Sequence, residues 1–170
     1  QHDDAVGHAV QLAIVEDVLD SAHGGALALE MLERDEQPLI EDYRDGIIDA
    51  KTFAELSGST SWSGLGSWEM WYQPIIDAAI ERDAAVIAAN APRRYVRIAR
   101  SDGWERIDAL DASRRGLVDH PDTPLTGAYR DRFMDLMGGH GEDGVDTEPN
   151  EESLAIAESY FLAQQVWDAT

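Results

Sequence analysis

The chain has 170 residues, enough for one domain with a core of its own. It carries 34 acidic against 13 basic residues, a net charge of −21, and no cysteine. Such a charge works against phosphate contacts and argues against nucleic acid as a partner. The missing thiols exclude disulfides, thiolate metal sites, iron–sulfur clusters and cysteine catalysis.

Lys51 is the only lysine, and the other basic residues are arginine. The acid excess suits a chain working at high salt and, equally, a GC-rich genome that favours Arg over Lys. No apolar stretch approaches the roughly 20 residues of a membrane span.

In chain order, Asp3 and Asp4 precede Val6, Ala9, Val10, Ala13, Ile14 and Val18, an apolar stripe that predicts a helix to about Ala22. His23-Gly24-Gly25 stops it. The run Gly25 to Met31 is apolar on both faces, which predicts a buried strand of a parallel sheet with Glu30 at its carboxyl end. Gln37 to Tyr43, with Pro38 in its first turn, and Asp49 to Leu56, capped by Asp49, predict short helices. Trp62, Trp68, Trp71 and Tyr72 then crowd a short segment before Pro74, and Ile75, Ile76, Ala79 and Ile80 continue as a helix.

Ala84 to Ala89 repeats the strand design and ends in Asn90, so Glu30 and Asn90 are expected at one ligand-binding rim. Arg93, Arg94, Arg97 and Arg100 follow Pro92 on a helix, the one basic patch. Asp111 opens a short helix, Asp119 to Pro124 reads as a linker, and Tyr129 to Met137 as a helix. Gly138 to Pro149 is a Gly-rich acidic loop holding His140, and a last helix starts near Asn150 with Gln164 and Asp168 on one face. The fold class this predicts is α/β: a three-layer α/β/α domain over 1–170 with a mainly parallel sheet and a small helical insertion at about 37–74.

Two constellations carry chemistry. Tyr72, with Trp62, Trp68, Trp71 and Met70 about it, forms an aromatic cluster that on residue type alone packs the insertion onto the sheet. His2 and Glu30, at strand ends, suit a divalent metal or proton transfer, the bland alternatives being a helix-start residue and a hydrogen-bonded buried carboxylate. His140 is a weaker ligand candidate. His8, His23 and His120 read as surface or turn residues, and Gln164 and Asp168 either line a rim or satisfy their own neighbours.

Gln1-His2-Asp3-Asp4, Glu30-Met31, Trp71-Tyr72-Gln73-Pro74, Asn90-Ala91-Pro92-Arg93 and Ala163-Gln164-Gln165-Val166-Trp167-Asp168-Ala169-Thr170, in that order, resemble the ChaN-like haem-binding proteins of the Tiki superfamily, relatives of the erythromycin-esterase fold. The family's Gly-Glu pair before the first His, and its Gly-x-Gly-His segment after the last helix, are absent from this sequence. Their absence predicts a fragment lacking the first strand, which would lie before Gln1, and the C-terminal strands.

The resemblance implies haem binding in bacterial iron uptake, with Tyr72 as the iron ligand, Trp71 and Asn90 nearby, Arg93, Arg94 or Arg97 on the propionates, and Gln164 and Asp168 at the rim. It also implies a homodimer around the cofactor and an extracytoplasmic lipoprotein, anchored outside this chain. The alternative that the superfamily implies is a metal-dependent hydrolase using His2 and Glu30.

Overall fold

The computed structural model describes residues 4–21, 25–58, 67–138 and 150–170. The chain divides into two compact units, Gln1–Asn90 and Ala91–Thr170.

The first unit opens with α1 (Ala5–Ser21), whose N-terminus is closed by Asp4: its Oδ1 accepts from the amides of Val6 and Gly7, both at 3.1 Å. β1 (Ala26–Glu33) follows, then a single 3-10 turn at Arg34–Glu36, α2 (Gln37–Arg44) with Pro38 in its first turn, and α3 (Ala50–Leu56), capped by Asp49 at 2.8 Å from the Thr52 amide. A π-helical turn at Trp68–Tyr72 runs into α4 (Gln73–Glu81), and β2 (Ala85–Asn90) ends the unit.

β1 and β2 pair in parallel, with Leu27 opposite Val86, Leu29 opposite Ala88, and Glu33 opposite Asn90 after an irregularity between Leu29 and Glu33. Two expectations need correction. β1 does not end at Glu30 but runs on to Glu33. Nor are both faces covered: Leu27, Leu29, Val86 and Ala88 turn inward, whereas Ala26, Ala28, Glu30, Ala85 and Ile87, the last 43% exposed, turn outward. The run misleads because alanine counts as apolar yet buries so little area that it tolerates water at slight cost. Among the described residues the sheet therefore has two strands and one covered face, and a third layer is not seen among them.

The inward face packs on Ile40, Phe53, Trp68, Tyr72, Ile76 and Ala79. At the outer margin of β2 the Gln37 side chain behaves like a peptide group: its Nε2 donates to the Val86 carbonyl at 3.0 Å and its Oε1 accepts from the Ala88 amide at 2.8 Å. α1 packs on α4 and the π turn, and the Arg82 Nε to Asp20 Oδ1 contact of 2.7 Å pins its far end. Its inward row is His8, Leu12, Val15 and Leu19. The predicted stripe Val6, Val10, Ile14 and Val18 faces outward instead. α1 is apolar nearly all round, so periodicity alone could not choose its buried side.

The regular elements among the second unit's described residues are all helices: α5 (Arg93–Asp102), α6 (Trp104–Asp108), α7 (Ala112–Arg115), α8 (Ala128–Gly138) and α9 (Glu151–Ala169), with an irregular stretch at 116–127. Gly103, at φ 80°, makes the break between α5 and α6, a backbone conformation that side chains resist. The Asn150 Oδ1 accepts from the Ser153 amide at 2.8 Å and starts α9 where the sequence predicts. Ala91, Tyr95, Val96, Ala99, Ile107, Val118, Ala163 and Val166 form the core. Within it Gln165, fully buried, accepts from the Leu125 amide at 2.6 Å and donates to the Phe161 carbonyl at 3.1 Å, fastening the segment before α8 onto α9.

Candidate functional site

Among the described residues of the first unit, the Trp68–Tyr72 turn departs from regular α-helix. The Gln73 amide reaches back five residues to the Trp68 carbonyl, and the next residue, Pro74, has no N–H for the Met70 carbonyl and would crowd it in a regular helix. The widened turn relieves that clash, and such turns recur at functional sites. It also points Trp68 and Tyr72 inward while Met70 stays in solvent.

Trp68 stacks on Tyr72 with ring centroids 5.5 Å apart, and its indole N–H donates to Gln73 Oε1 at 3.1 Å. Gln73 in turn donates to Asp77 Oδ1 at 2.8 Å, and the Tyr43 hydroxyl donates to the same oxygen at 2.7 Å. Burial first, and then the Asp77 carboxylate, push the Tyr43 phenol up to about 12. Tyr72 is only 2% exposed; burial, and secondarily the charge of Glu30, raise its pKa too. A neutral phenol is therefore the resting form, and the phenolate forms only where a cation drives it.

His8 closes the group. Its imidazole lies flat on Trp71 at 5.0 Å and 9°, and edge-on to Tyr72 at 4.9 Å and 72°. Beside these rings a cleft of about 260 Å³ is lined by Ala5, His8, Leu12, Met70, Trp71 and Pro74. It falls under the roughly 300–1,000 Å³ of small-molecule sites. The lining holds an imidazole and a thioether, each a known axial ligand type for haem iron, next to a flat indole wall, whereas the Tyr72 phenol belongs to the core and is not among the lining residues. The donor types suit haem iron, and the described lining holds no cationic side chain for the propionates.

The other expected residues are placed as follows. Glu30 and Asn90 lie in the carboxyl-terminal halves of neighbouring parallel strands, but Glu30 is on the open face and Asn90 on the covered one. The lengthening of β1 past Glu30 is what separates them from a common strand-end position. His2, Trp62 and His140 lie outside the described residues. Among the described residues no three His, Asp or Glu side chains gather as a metal-binding group.

In the second unit Arg93 is half-buried and Arg94 exposed on α5, the Arg94 guanidinium lying 4.5 Å from the Tyr95 ring centre and that of Arg100 3.7 Å from Tyr160. Gln164 donates to Asp168 at 2.8 Å, and the Tyr129 hydroxyl donates to the same carboxylate. Burial and then Asp168 push the Tyr129 phenol up to about 12.

The sequence reading missed His8, taking it for a surface residue. The signal was present, since His8, Leu12, Val15 and Leu19 form a second row at helical spacing. A family model described as haem-binding uptake, Tiki superfamily, ChaN matches residues 1–170, the whole chain. No curated protein and no solved structure matches it.

Proposed function

For a chain that belongs to the ChaN family of haem-binding uptake proteins in the Tiki superfamily, we propose that the cleft beside the Trp68–Tyr72 turn takes ferric haem as cargo, with the Tyr72 phenolate on the iron. The observation that carries this is the π-helical turn itself, which brings Trp71 to the cleft wall and sets Tyr72 directly behind it. Trp71 and Met70 supply apolar contact along the porphyrin. The negative charge of a phenolate suits Fe(III) over Fe(II), so Tyr72 favours the ferric form. Opening of the ring cluster about Tyr72 accompanies binding.

Arg93 and Arg94 are proposed as propionate partners on the chemistry of the guanidinium group. Asn90, Gln164 and Asp168 are proposed as rim residues. A haem-bridged homodimer, and a working place outside the cytoplasm on a lipid anchor, complete the reading. Dimerisation is checked by sedimentation with and without haem, where a sedimentation coefficient unchanged by haem counts against the bridge.

The test of the ligand is an absorbance titration of wild type and Tyr72→Phe with ferric haem, with circular dichroism as the control for folding. The variant loses one oxygen and keeps its ring, so the high-spin ferric spectrum should vanish and affinity fall by roughly tenfold or more, about 1.4 kcal/mol. Equal affinity and an unchanged spectrum in a folded variant would remove Tyr72 from the iron, with Tyr129 and Tyr160 the next phenols to examine.

A further inference from the structure

His120, in the irregular stretch at 116–127, is held on three sides. Its ring stacks on Trp104 of α6 at 4.6 Å and 19°, and its side chain is only 8% exposed. Its Nε2 lies 3.0 Å from Asp108 Oδ1 and its Nδ1 lies 2.8 Å from the Pro121 carbonyl oxygen. Both neighbours are acceptors. A neutral imidazole has one N–H and one lone pair, so it satisfies one of them and turns the lone pair on the other. Only the doubly protonated ring donates to both, and its charge also suits the indole face beneath it. The charged groups about it among the described residues are Asp108 on α6, Asp119 beside it in the stretch, and Arg115 at the end of α7. Arg115 is itself engaged by both acids, at 3.4 Å from Asp108 and 3.3 Å from Asp119. The His120 amide first, and then Arg115 against the opposing effect of burial, hold the Asp119 carboxyl below its ordinary range.

We propose that His120 is a proton-operated clasp of the second unit, closed while the ring carries both protons and loosened when it loses one. Contacts on either side fix what it joins. Trp104 donates its indole N–H to the Leu162 carbonyl at 3.1 Å, which ties α6 to α9. The Asp119 amide donates to Thr170 Oγ1 at 2.9 Å, which ties the stretch to the residue that ends α9. His120 closes the third side, between α6 and the stretch. With no regular ladder of its own, the stretch depends on such contacts for how firmly it is held. A closed form that binds a proton more tightly than the open one is strengthened by acid and weakens as pH rises. Rising pH therefore frees residues 119–127 first, and with them the anchorage of the end of α9 that carries Gln164 and Asp168.

The test is run on the whole chain from about pH 5.5 to about pH 8, which spans the ordinary imidazole range. NMR of the His120 ring nitrogens reports their protons. Amide hydrogen exchange, corrected for its intrinsic pH dependence, reports opening of the stretch. In wild type the ring should carry two N–H groups at the acid end, and protection at residues 119–127 should fall by roughly tenfold or more as one is lost. His120→Phe keeps a flat ring on Trp104 but has no nitrogen, so it should show no such fall. Asp108→Asn keeps the histidine and the size of its neighbour while removing the acid, so the fall should move to lower pH. A histidine that merely packs would not move it, and this variant carries the test should His120→Phe fail to fold. A wild-type ring already neutral at about pH 5.5, wild-type protection unchanged across the range, or an equal fall in His120→Phe would each overturn the clasp.

Discussion

The two units handle polar groups in opposite ways. In the first unit the candidate ligand residues are part of the core: Tyr72 and Trp68 are buried, and the Trp68–Gln73–Asp77–Tyr43 chain of hydrogen bonds runs beneath them. In the second, Arg94, Gln164 and Asp168 sit at the helix surface and the core is mostly small and apolar, with Gln165 its one fully buried polar side chain among the described residues. A substitution at the first site thus disturbs fold and binding together. One at the second reads out surface chemistry almost alone.

The largest expected effect follows from this contrast. Trp68→Ala should destabilise the first unit by about 3–5 kcal/mol, the range for removing a buried aromatic, because it opens a hole beside Phe53 and Tyr72 and leaves Gln73 Oε1 without its donor. Hydrogen exchange followed residue by residue should show protection falling through residues 26–33 and 85–90. Equal loss of protection in both units would mean that they unfold as one body and would dissolve the comparison.

Next is Gln165→Leu, which keeps the volume of the side chain but removes the acceptor of the part-buried Leu125 amide. It should cost about 0.5–1.5 kcal/mol, seen in a thermal melt, with exchange at residues 119–127 rising first. A melt unchanged from wild type would show that the glutamine is replaceable packing and that the second unit has no polar fastening of its own.

The smallest effect sharpens the comparison by pH. Tyr43 in the first unit and Tyr129 in the second both have phenols raised to about 12, from an ordinary value near 10. A raised acid favours the folded state while it is protonated, so this stability is complete below pH 10 and is lost as pH climbs from 10 through 12. Tyr129 is 40% exposed, so solvent screening makes its share the lesser. Chemical denaturation at pH 9 and pH 11.5 should show the fall, reduced more by Tyr43→Phe than by Tyr129→Phe. The opposite order would place the better-enclosed phenol in the second unit.

Much of this was legible in the chain. Asp49, Pro38 and Asn150 start their helices as local rules require, because capping is settled within four residues. The parallel pairing of the two apolar runs was also readable, as was the family, through short motifs kept in order. What failed was the choice of face. The alanines of β1 and β2, and the near-uniform α1, carry no contrast between inside and outside, so the covered sides were decided by Trp68, Trp71 and Tyr72 packing from far along the sequence. Gln37 and Gln165 were invisible for a related reason: a polar residue whose partners lie 40 or more positions away looks like any surface glutamine. His8 was lost with them, although its row of spacing was there to be counted.

The Gln37 amide at the margin of β2 has a consequence for how the sheet meets other chains. An unpaired strand edge is a template on which a foreign strand can align, and stray association through such edges is a standing hazard of open sheets. By occupying the Val86 carbonyl and the Ala88 amide, one side chain removes the middle rungs of that template, and the Arg44 guanidinium takes the Ala84 carbonyl below them. β2 is thereby a terminus. Among the described residues β1 pairs with β2 alone, so its other edge is the one on which a further strand finds backbone groups to pair with.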